Sequence, residues 1–211
     1  MKFTLKKHKL GEKIVSIYMP INIPRGLSAV DPISWDLAIL GDTEAFEFLR
    51  TIFLIAAELK ANECIYISTV KNRSIEYRDI WRAGIFDLDI LMINSSHTHI
   101  KSKIWERLID GIKYTKGNVV QIIPQKEQVE ETPKFWLNDK KLNTIRRGKY
   151  FVLQTNSVSF ERLSYDLDSG MTGFRDSEEY NFDFHVHEDF FGTREDNGFN
   201  FLYHYTANQD N

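Results

Sequence analysis

The segment "GDTEAFEFLRTIFLIAAELKAN", residues 41–62, limits the fold more than any other part of this chain. Asp42 or Thr43 can cap the first N–H groups of a helix, and Glu44 would lie in its positive first turn. The apolar residues follow helical spacing: Phe46, Leu49, Ile52, Phe53, Ala56 and Leu59, with Phe48, Leu54 and Ile55 widening the stripe. We therefore predict a largely buried helix over residues 43–60, which other layers of structure must cover.

The rest of the chain predicts mainly strands, and the fold class is α+β. An opening hairpin is predicted from "MKFTLKKHKL" and "KIVSIYM", strands from "CIYISTV", "IFDLDILMI" and "NVVQIIP", and helices near "SIEYRDIWRAG" and within "KSKIWERLIDGIKYTKG". Later strands are predicted in "KYFVLQT", "SVSFERLSYDL", "FDFHVHEDF" and "FNFLYHY". The expected architecture is a mixed or antiparallel sheet packed on the long buried helix, with a mainly antiparallel β C-terminal part.

Residues 1–123 form the predicted α/β part, and residues 135–211 form the predicted β-rich acidic part. Between them, residues 124–134 contain the polar run "QKEQVEETP" bounded by Pro124 and Pro133, which indicates a linker or a long loop. The sequence leaves open whether the two parts are separate domains or one.

The sequence predicts a cytoplasmic protein that does not span a membrane. The longest apolar run, "IFLIAA", is far shorter than the ~20 residues that a bilayer-spanning helix needs. The N-terminus has no apolar stretch typical of a secretory signal. Cys64 is the only cysteine, which excludes an internal disulfide and a zinc site built from several cysteines.

Charge is distributed unevenly along the chain. Residues 156–211 contain 12 acidic residues against three arginines, a balance of −9, whereas residues 1–155 carry +6. The same C-terminal segment holds 12 aromatic residues, which a solvating acidic tail would lack. We therefore predict that it folds and presents an acidic, aromatic-rich surface.

A basic cluster precedes this acidic segment and consists of Lys140, Lys141, Arg146, Arg147 and Lys149. It lacks any recognisable nucleic-acid-binding module, so the pattern favours a solvated basic face over a nucleic-acid site.

A first candidate metal site lies in "SSHTHIKSKIWERLID", residues 95–110. A strand, then His97 and His99, then ten residues and Asp110 resembles the zinc motif of the JAMM/MPN metallopeptidases. In that family an upstream glutamate is the general base, and the matching residue here is Glu63. The resemblance implies zinc held by two imidazoles and one carboxylate, with a water in the fourth position whose pKa the metal lowers to ~7.

The alternative for this segment is an ordinary loop followed by a helix. Ile104, Trp105, Leu108, Ile109 and Ile112 have helical spacing and predict a helix that begins near Lys101. Asp110 would then lie ~13 Å along the helix axis, beyond the reach of a metal shared with His97 and His99.

A second candidate metal site lies in the last two predicted strands. In "DFHVHEDF", His185 and His187 share one face of a strand, and in "FNFLYHYT" His204 is on the polar face. If these strands form a hairpin closed through "FGTREDNG", His204 lies opposite His185 or, in a register shifted by two residues, opposite His187. Three such histidines resemble in geometry the ligands of carbonic anhydrases and cupins. The alternative is a hairpin whose aromatic face packs on the core and whose polar face meets water.

The sequence supports two functional hypotheses. The leading hypothesis is a non-catalytic protein-binding protein, such as an inhibitor or a bacterial immunity protein, that docks a basic partner such as a nuclease toxin and needs no cofactor. Its predicted contact residues are acidic: Asp176, Glu178, Glu179, Glu195 and Asp196. The alternative is a zinc-dependent hydrolase that uses one of the two histidine sites. Whether the chain is an enzyme stays open at this stage.

Overall fold

The computed structural model describes residues 1–32, 36–70, 85–98, 100–112, 115–126, 142–175, 182–186 and 199–203. The strands among these residues are β1 (Lys2–Leu10), β2 (Lys13–Pro20), β3 (Ser28–Pro32), β4 (Leu37–Gly41), β5 (Glu63–Ile67), β6 (Ile85–Asn94), β7 (Asn118–Gln121), β8 (Asn143–Arg147), β9 (Tyr150–Thr155), β10 (Phe182–Val186) and β11 (Phe199–Tyr203). The helices are α1 (Thr43–Ala57), α2 (Ser102–Ile112) and α3 (Ser157–Arg175).

The described strands form one mixed sheet. Its order is β10-β11-β4-β3-β6-β5-β2-β1-β7, while β9 pairs with β6 and with β8. The parallel pairs are β2–β5, β4–β11 and β6–β9, and the other pairs are antiparallel. A mixed sheet with three described helices confirms the α+β fold class.

Strand β6 is the centre of this sheet because three strands pair with it. Its first half, Ile85–Leu88, pairs with β3, and its second half, Asp89–Asn94, pairs with β9. Strand β5 pairs with residues Ile90–Ile93, which belong to the same second half of β6. Residues 88–93 are buried throughout, which explains why this strand is almost continuously apolar rather than alternating.

Of the three described helices, two cover one face of the sheet and the third covers the other. Helices α1 and α3 pack on the face that carries Ile65, Ile90 and Phe151. Helix α2 covers the opposite face through Trp105 and Ile109. Alternation along each strand therefore divides its side chains between the two cores.

Local signals position α1 as the sequence predicts. The side chain of Asp42 accepts a hydrogen bond from the backbone N–H of Ala45 at 2.8 Å, so Asp42 is the N-cap. Residues Ile52–Ala57 are all buried, whereas Glu44 and Glu47 in the first half are exposed. No helix among the described residues has both the length and the apolar character that crossing a membrane requires.

The predicted strand in "SVSFERLSYDL" is wrong, because these residues belong to α3. The side chain of Asn156 accepts a hydrogen bond from the Ser159 N–H at 2.9 Å and so starts the helix. The buried apolar residues of α3 are spaced for a helix: Phe160, Leu163, Leu167 and Met171. The serines and Tyr165 between them lower helix propensity, and packing against α1 outweighs that preference.

The C-terminal part is also less antiparallel than predicted. Strand β9 runs parallel to β6, and β11 runs parallel to β4, so C-terminal strands are inserted among N-terminal ones. Parallel pairing requires a crossover connection: the chain between β6 and β9 contains α2, and the chain between β4 and β11 contains all three described helices. The helix predicted near "SIEYRDIWRAG" and residues 127–134 of the predicted linker lie outside the described residues.

The ring of Phe53 is fully buried between α3 and β11, with ring centroids 6.1 Å from both Phe160 and Phe201. Phe53→Ala should therefore lower the free energy of unfolding by ~3 to 5 kcal/mol, because it empties a large aromatic site. Urea denaturation monitored by circular dichroism measures this change. Ile14→Ala, at an exposed position of β2, is the control and should change stability little.

Candidate functional site

The acidic residues of α3 are already paired with cations of the same chain. The Lys126 ammonium lies 2.7 Å from the Glu161 carboxylate, and Arg50 Nε lies 3.8 Å from Asp168 Oδ1. Arg162 Nε lies 2.7 Å from Asp166 Oδ1, four residues later on the helix. The acidic excess of the C-terminal segment therefore falls on residues 176–211, which carry nine acidic residues against one arginine, a balance of −8.

The Arg162–Asp166 pair is the most buried of these ion pairs. Both side chains are about nine-tenths covered, and the Arg162 guanidinium also lies 5.3 Å from the Tyr165 ring centroid. Burial raises the pKa of Asp166 from 3.8 to about 6, although the neighbouring Arg162 charge acts in the opposite direction. Desolvation of the Asp166 carboxyl thus changes its pKa more than the attraction to Arg162 does.

Aromatic side chains of β11 anchor the acidic segment in the main core. Phe199 and Phe201 are buried, and the Phe201 ring centroid lies 5.9 Å from that of Phe46 in α1. Phe199 packs edge-on against Phe151 of β9 at 5.4 Å. Strand β11 therefore belongs to the folded body of the protein.

Strands β10 and β11 pair antiparallel, as the sequence predicts, but in a different register from either one considered above. His185 is paired with Asn200, and Phe184 with Phe201. Asn200 is buried, so the polar face of β11 is covered at this position rather than open to water. His187 and His204 lie outside the described residues, so the three-histidine site stays a prediction.

All five predicted contact residues also lie outside the described residues: Asp176, Glu178, Glu179, Glu195 and Asp196. In the sequence, three of them precede β10 and two lie between β10 and β11. Residues 176–181 connect α3 to β10, and residues 187–198 connect β10 to β11.

The residues of the first histidine site are in different local structures. His97 is exposed in the turn after β6, and its N–H donates to the Asn94 carbonyl at 3.5 Å. Asp110 lies in the last turn of α2, where its Oδ1 accepts hydrogen bonds from Lys149 Nζ and the Tyr150 hydroxyl, both at 2.9 Å. The predicted helix across Asp110 is confirmed, whereas His99 lies outside the described residues.

Glu63 is the first residue of β5 and accepts two hydrogen bonds. The Tyr18 hydroxyl donates to its Oε1 at 2.9 Å, and the Lys60 N–H donates to its Oε2 at 2.8 Å. Burial, together with this hydrogen bond and the Glu63 charge, raises the pKa of Tyr18 to about 12. Both carboxylate oxygens of Glu63 thus have a structural use, and its role as a general base stays a prediction.

Two tyrosine–aspartate pairs, which the sequence did not predict, lie on the α2 side of the sheet, and Asp110 of the second pair belongs to α2 itself. The Tyr66 hydroxyl donates to buried Asp89 at 2.7 Å, and the Tyr150 hydroxyl donates to Asp110. The two tyrosine rings meet edge to face, with centroids 6.1 Å apart. Burial raises the pKa of both tyrosines well above the usual value, so these hydroxyls are neutral donors. The alternation "IFDLDIL", with two aspartates in an apolar strand, was the available signal.

The described members of the basic cluster each contact an acidic residue. Arg146 pairs with Asp31 at 2.6 Å and lies 3.9 Å above the Phe86 ring, while Arg147 Nε lies 3.7 Å from Glu106. Lys149 contacts Asp110, as described above. These residues link β8 and the following turn to their neighbours in the fold.

A groove of about 820 Å³ lies at the N-terminal end of α1. Its charged lining has both signs: Lys2, Arg25, Asp42, Glu44 and Glu47. Gly26 passes directly beside the Asp42 carboxylate, where a Cβ atom would collide. The opposing charges do not select one class of ligand.

Within the described parts of the chain, no three His, Cys, Asp or Glu side chains are grouped so that they could hold a metal ion. Comparison of the chain with protein-family models, with curated proteins and with solved structures found no match.

Since the pKa of Asp166 is higher in the folded than in the unfolded chain, the folded state holds its proton more tightly. The contribution of Asp166 to stability is therefore greatest below its unfolded pKa of 3.8 and declines as the pH rises through about 6. From pH 4 to pH 7, wild type should lose on the order of 2 kcal/mol relative to Asp166→Asn. Urea denaturation of both proteins measures this difference, and a difference independent of pH would contradict it.

Proposed function

We propose that this protein is a non-catalytic protein-binding protein that docks a basic partner through its acidic C-terminal segment, residues 176–196. An inhibitor or immunity protein of a basic enzyme, such as a nuclease toxin, fits this description. The observation that carries the proposal is the charge balance of −8 over residues 176–211. This segment follows α3 and contains strands β10 and β11.

The ion pairs of α3 support placing the contact surface beyond that helix. Because Glu161, Asp166 and Asp168 have cationic neighbours within the chain, their charges are largely offset locally. The excess negative charge is then concentrated in the two connections on either side of β10. Concentrated charge of one sign raises the association rate with an oppositely charged partner.

The anchoring of β11 supports a binding role because β10 and β11, the strands on either side of the 187–198 connection, are fixed in the sheet. Phe199 and Phe201 are fixed in the core, so the ends of the 187–198 connection are held by the fold. A segment held in place loses less conformational entropy on binding than a free tail. Its other aromatic residues, including Phe190 and Phe191, are of the type that commonly anchors protein interfaces.

The first test reverses the charge of the five predicted contact residues to lysine: Asp176, Glu178, Glu179, Glu195 and Asp196. A partner isolated from the native host is purified, and its association rate is measured at several salt concentrations. The variant should capture this partner more slowly and lose most of the salt dependence, because charges are screened over ~8 Å at physiological ionic strength.

Two double variants distinguish the effect of charge position on the association rate from the effect of net charge. Glu195→Lys with Asp196→Lys changes the charge by the same amount as Glu12→Lys with Asp36→Lys, at exposed positions elsewhere. Only the first pair should slow association. Equal rates and equal salt slopes for both pairs and wild type would refute the proposal.

A second prediction distinguishes this function from that of a zinc-dependent hydrolase. His97→Ala combined with His99→Ala should leave the melting temperature and partner binding unchanged, since His97 is exposed in a turn. Protein purified without a histidine tag should contain little zinc by elemental analysis. Near-stoichiometric zinc that disappears in this double variant would favour the hydrolase, whereas zinc lost only in His185→Ala would favour the second site.

A further inference from the structure

Strand β7 ends the described sheet with an apolar, uncharged edge. It pairs with β1 on one side, and no described strand pairs with its other side. Val119 and Ile123 are 67% and 71% exposed, an unusual degree for large aliphatic side chains. Residues 117–124 contain no charged side chain. Exposed sheet edges are usually protected by charges, bulges or covering segments.

The backbone hydrogen bonds show which groups of this edge are open. The Met1 amino group donates to the Ile122 carbonyl at 2.7 Å, and the Ile122 N–H donates to the Met1 carbonyl at 2.9 Å. Ile122 therefore directs both of its backbone groups toward β1. Because these directions alternate along an antiparallel strand, Val119, Gln121 and Ile123 direct theirs toward the outer edge.

The side chains of the same three residues lie on one face. Val120 and Ile122 pack against the core on the α1 side of the sheet. By alternation, Val119, Gln121 and Ile123 project from the opposite face. The edge thus presents outward backbone groups together with two exposed aliphatic side chains that flank a glutamine.

We propose that β7 pairs antiparallel with β7 of a second copy of this chain, about a two-fold axis that passes beside Gln121. In this register Gln121 faces its own copy, and Val119 of each chain faces Ile123 of the other. The backbone groups of all three residues point toward the outer edge. The register that pairs their side chains therefore also lets their backbone groups form hydrogen bonds between the two chains. The two sheets then form one continuous sheet.

A second copy suits this edge because the edge is complementary to itself. The two-fold axis places aliphatic side chains against aliphatic side chains in both halves, and such cross-strand pairs stabilise an antiparallel ladder. The nearest lysines on the same face, Lys2 of each chain, would be separated by three strand spacings, ~14 Å, which exceeds the screening length of ~8 Å. The short edge implies a weak, concentration-dependent dimer.

Glycine at position 117 lets β7 approach β1. A Cβ atom there would collide with the Thr4 side chain and would meet the Leu5 carbonyl oxygen at 3.1 Å. The edge is therefore held in place by close backbone packing before any partner binds. Strands β7 and β10 lie at opposite ends of the described sheet order, and the dimer does not depend on the function proposed above.

Sedimentation equilibrium of the full chain, from micromolar to low millimolar concentrations, tests the dimer. Val119→Lys and Ile123→Lys should each weaken dimerisation about tenfold or more, because each puts a charge on the shared edge. Ile14→Lys is the matched control: Ile14 is 63% exposed in β2, away from β7, and its substitution should leave dimerisation unchanged. Circular dichroism confirms that each variant is folded.

Cysteine cross-linking tests the register independently of stability. Cys64 is buried, so a cysteine introduced at an exposed edge position is the reactive thiol. Under mild oxidation, Gln121→Cys should form an interchain disulfide, because hydrogen-bonded antiparallel partners have Cα atoms about 5.5 Å apart. Val119→Cys should not, because two copies of Val119 would lie roughly 14 Å apart.

Three results would overturn the proposal. One is a monomer at all concentrations, and a second is a dimer that Ile14→Lys disrupts as much as Val119→Lys does. The third is cross-linking of Val119→Cys at least as efficient as that of Gln121→Cys, which would require a different register or a different contact.

Discussion

The buried C-terminal end of α1 is the constraint on which much of this fold depends. The last four carbonyls of a helix have no partner within the helix, and burying them unsatisfied is costly. Asn94, itself fully buried, donates from Nδ2 to the Ala56 and Ala57 carbonyls at 3.0 and 2.9 Å. The same amide contacts Ser157 Oγ at the start of α3. One side chain at the end of β6 therefore links both helices of this face to the central strand.

The opposite face of the sheet depends on hydrogen bonds that tyrosine hydroxyls donate to aspartates, in addition to apolar packing. Tyr66 and Tyr150 bring phenol groups into the core beneath α2, and each requires a partner there. Asp89 of the central strand accepts a hydrogen bond from the Tyr66 hydroxyl. Asp110 at the end of α2 accepts one from the Tyr150 hydroxyl. Asp110 thereby ties α2 to β9, which gives this carboxylate a structural role that metal binding would disturb.

The sequence predicted those elements whose signals are local. The N-cap Asp42, the apolar stripe of α1, the hairpin of β1 and β2 and the helix across Asp110 were all predicted from neighbouring residues. Helix α3 was missed because serines and aromatic residues separate its apolar positions, so alternation and helical spacing competed. The register of β10 against β11 was missed because two polar faces and several aromatics allow more than one alignment.

By itself, the sequence determined the α+β class, the N-cap and apolar stripe of α1, the single cysteine and the acidic balance of residues 156–211. These properties depend on composition and on contacts between near neighbours. Only the tertiary structure decided that β9 and β11 run parallel to N-terminal strands, that Asn94 joins α1 to α3, and that Asp110 serves Tyr150. Such pairings join residues far apart in the chain, and their free energy arises when separate surfaces are buried together, which no local pattern encodes.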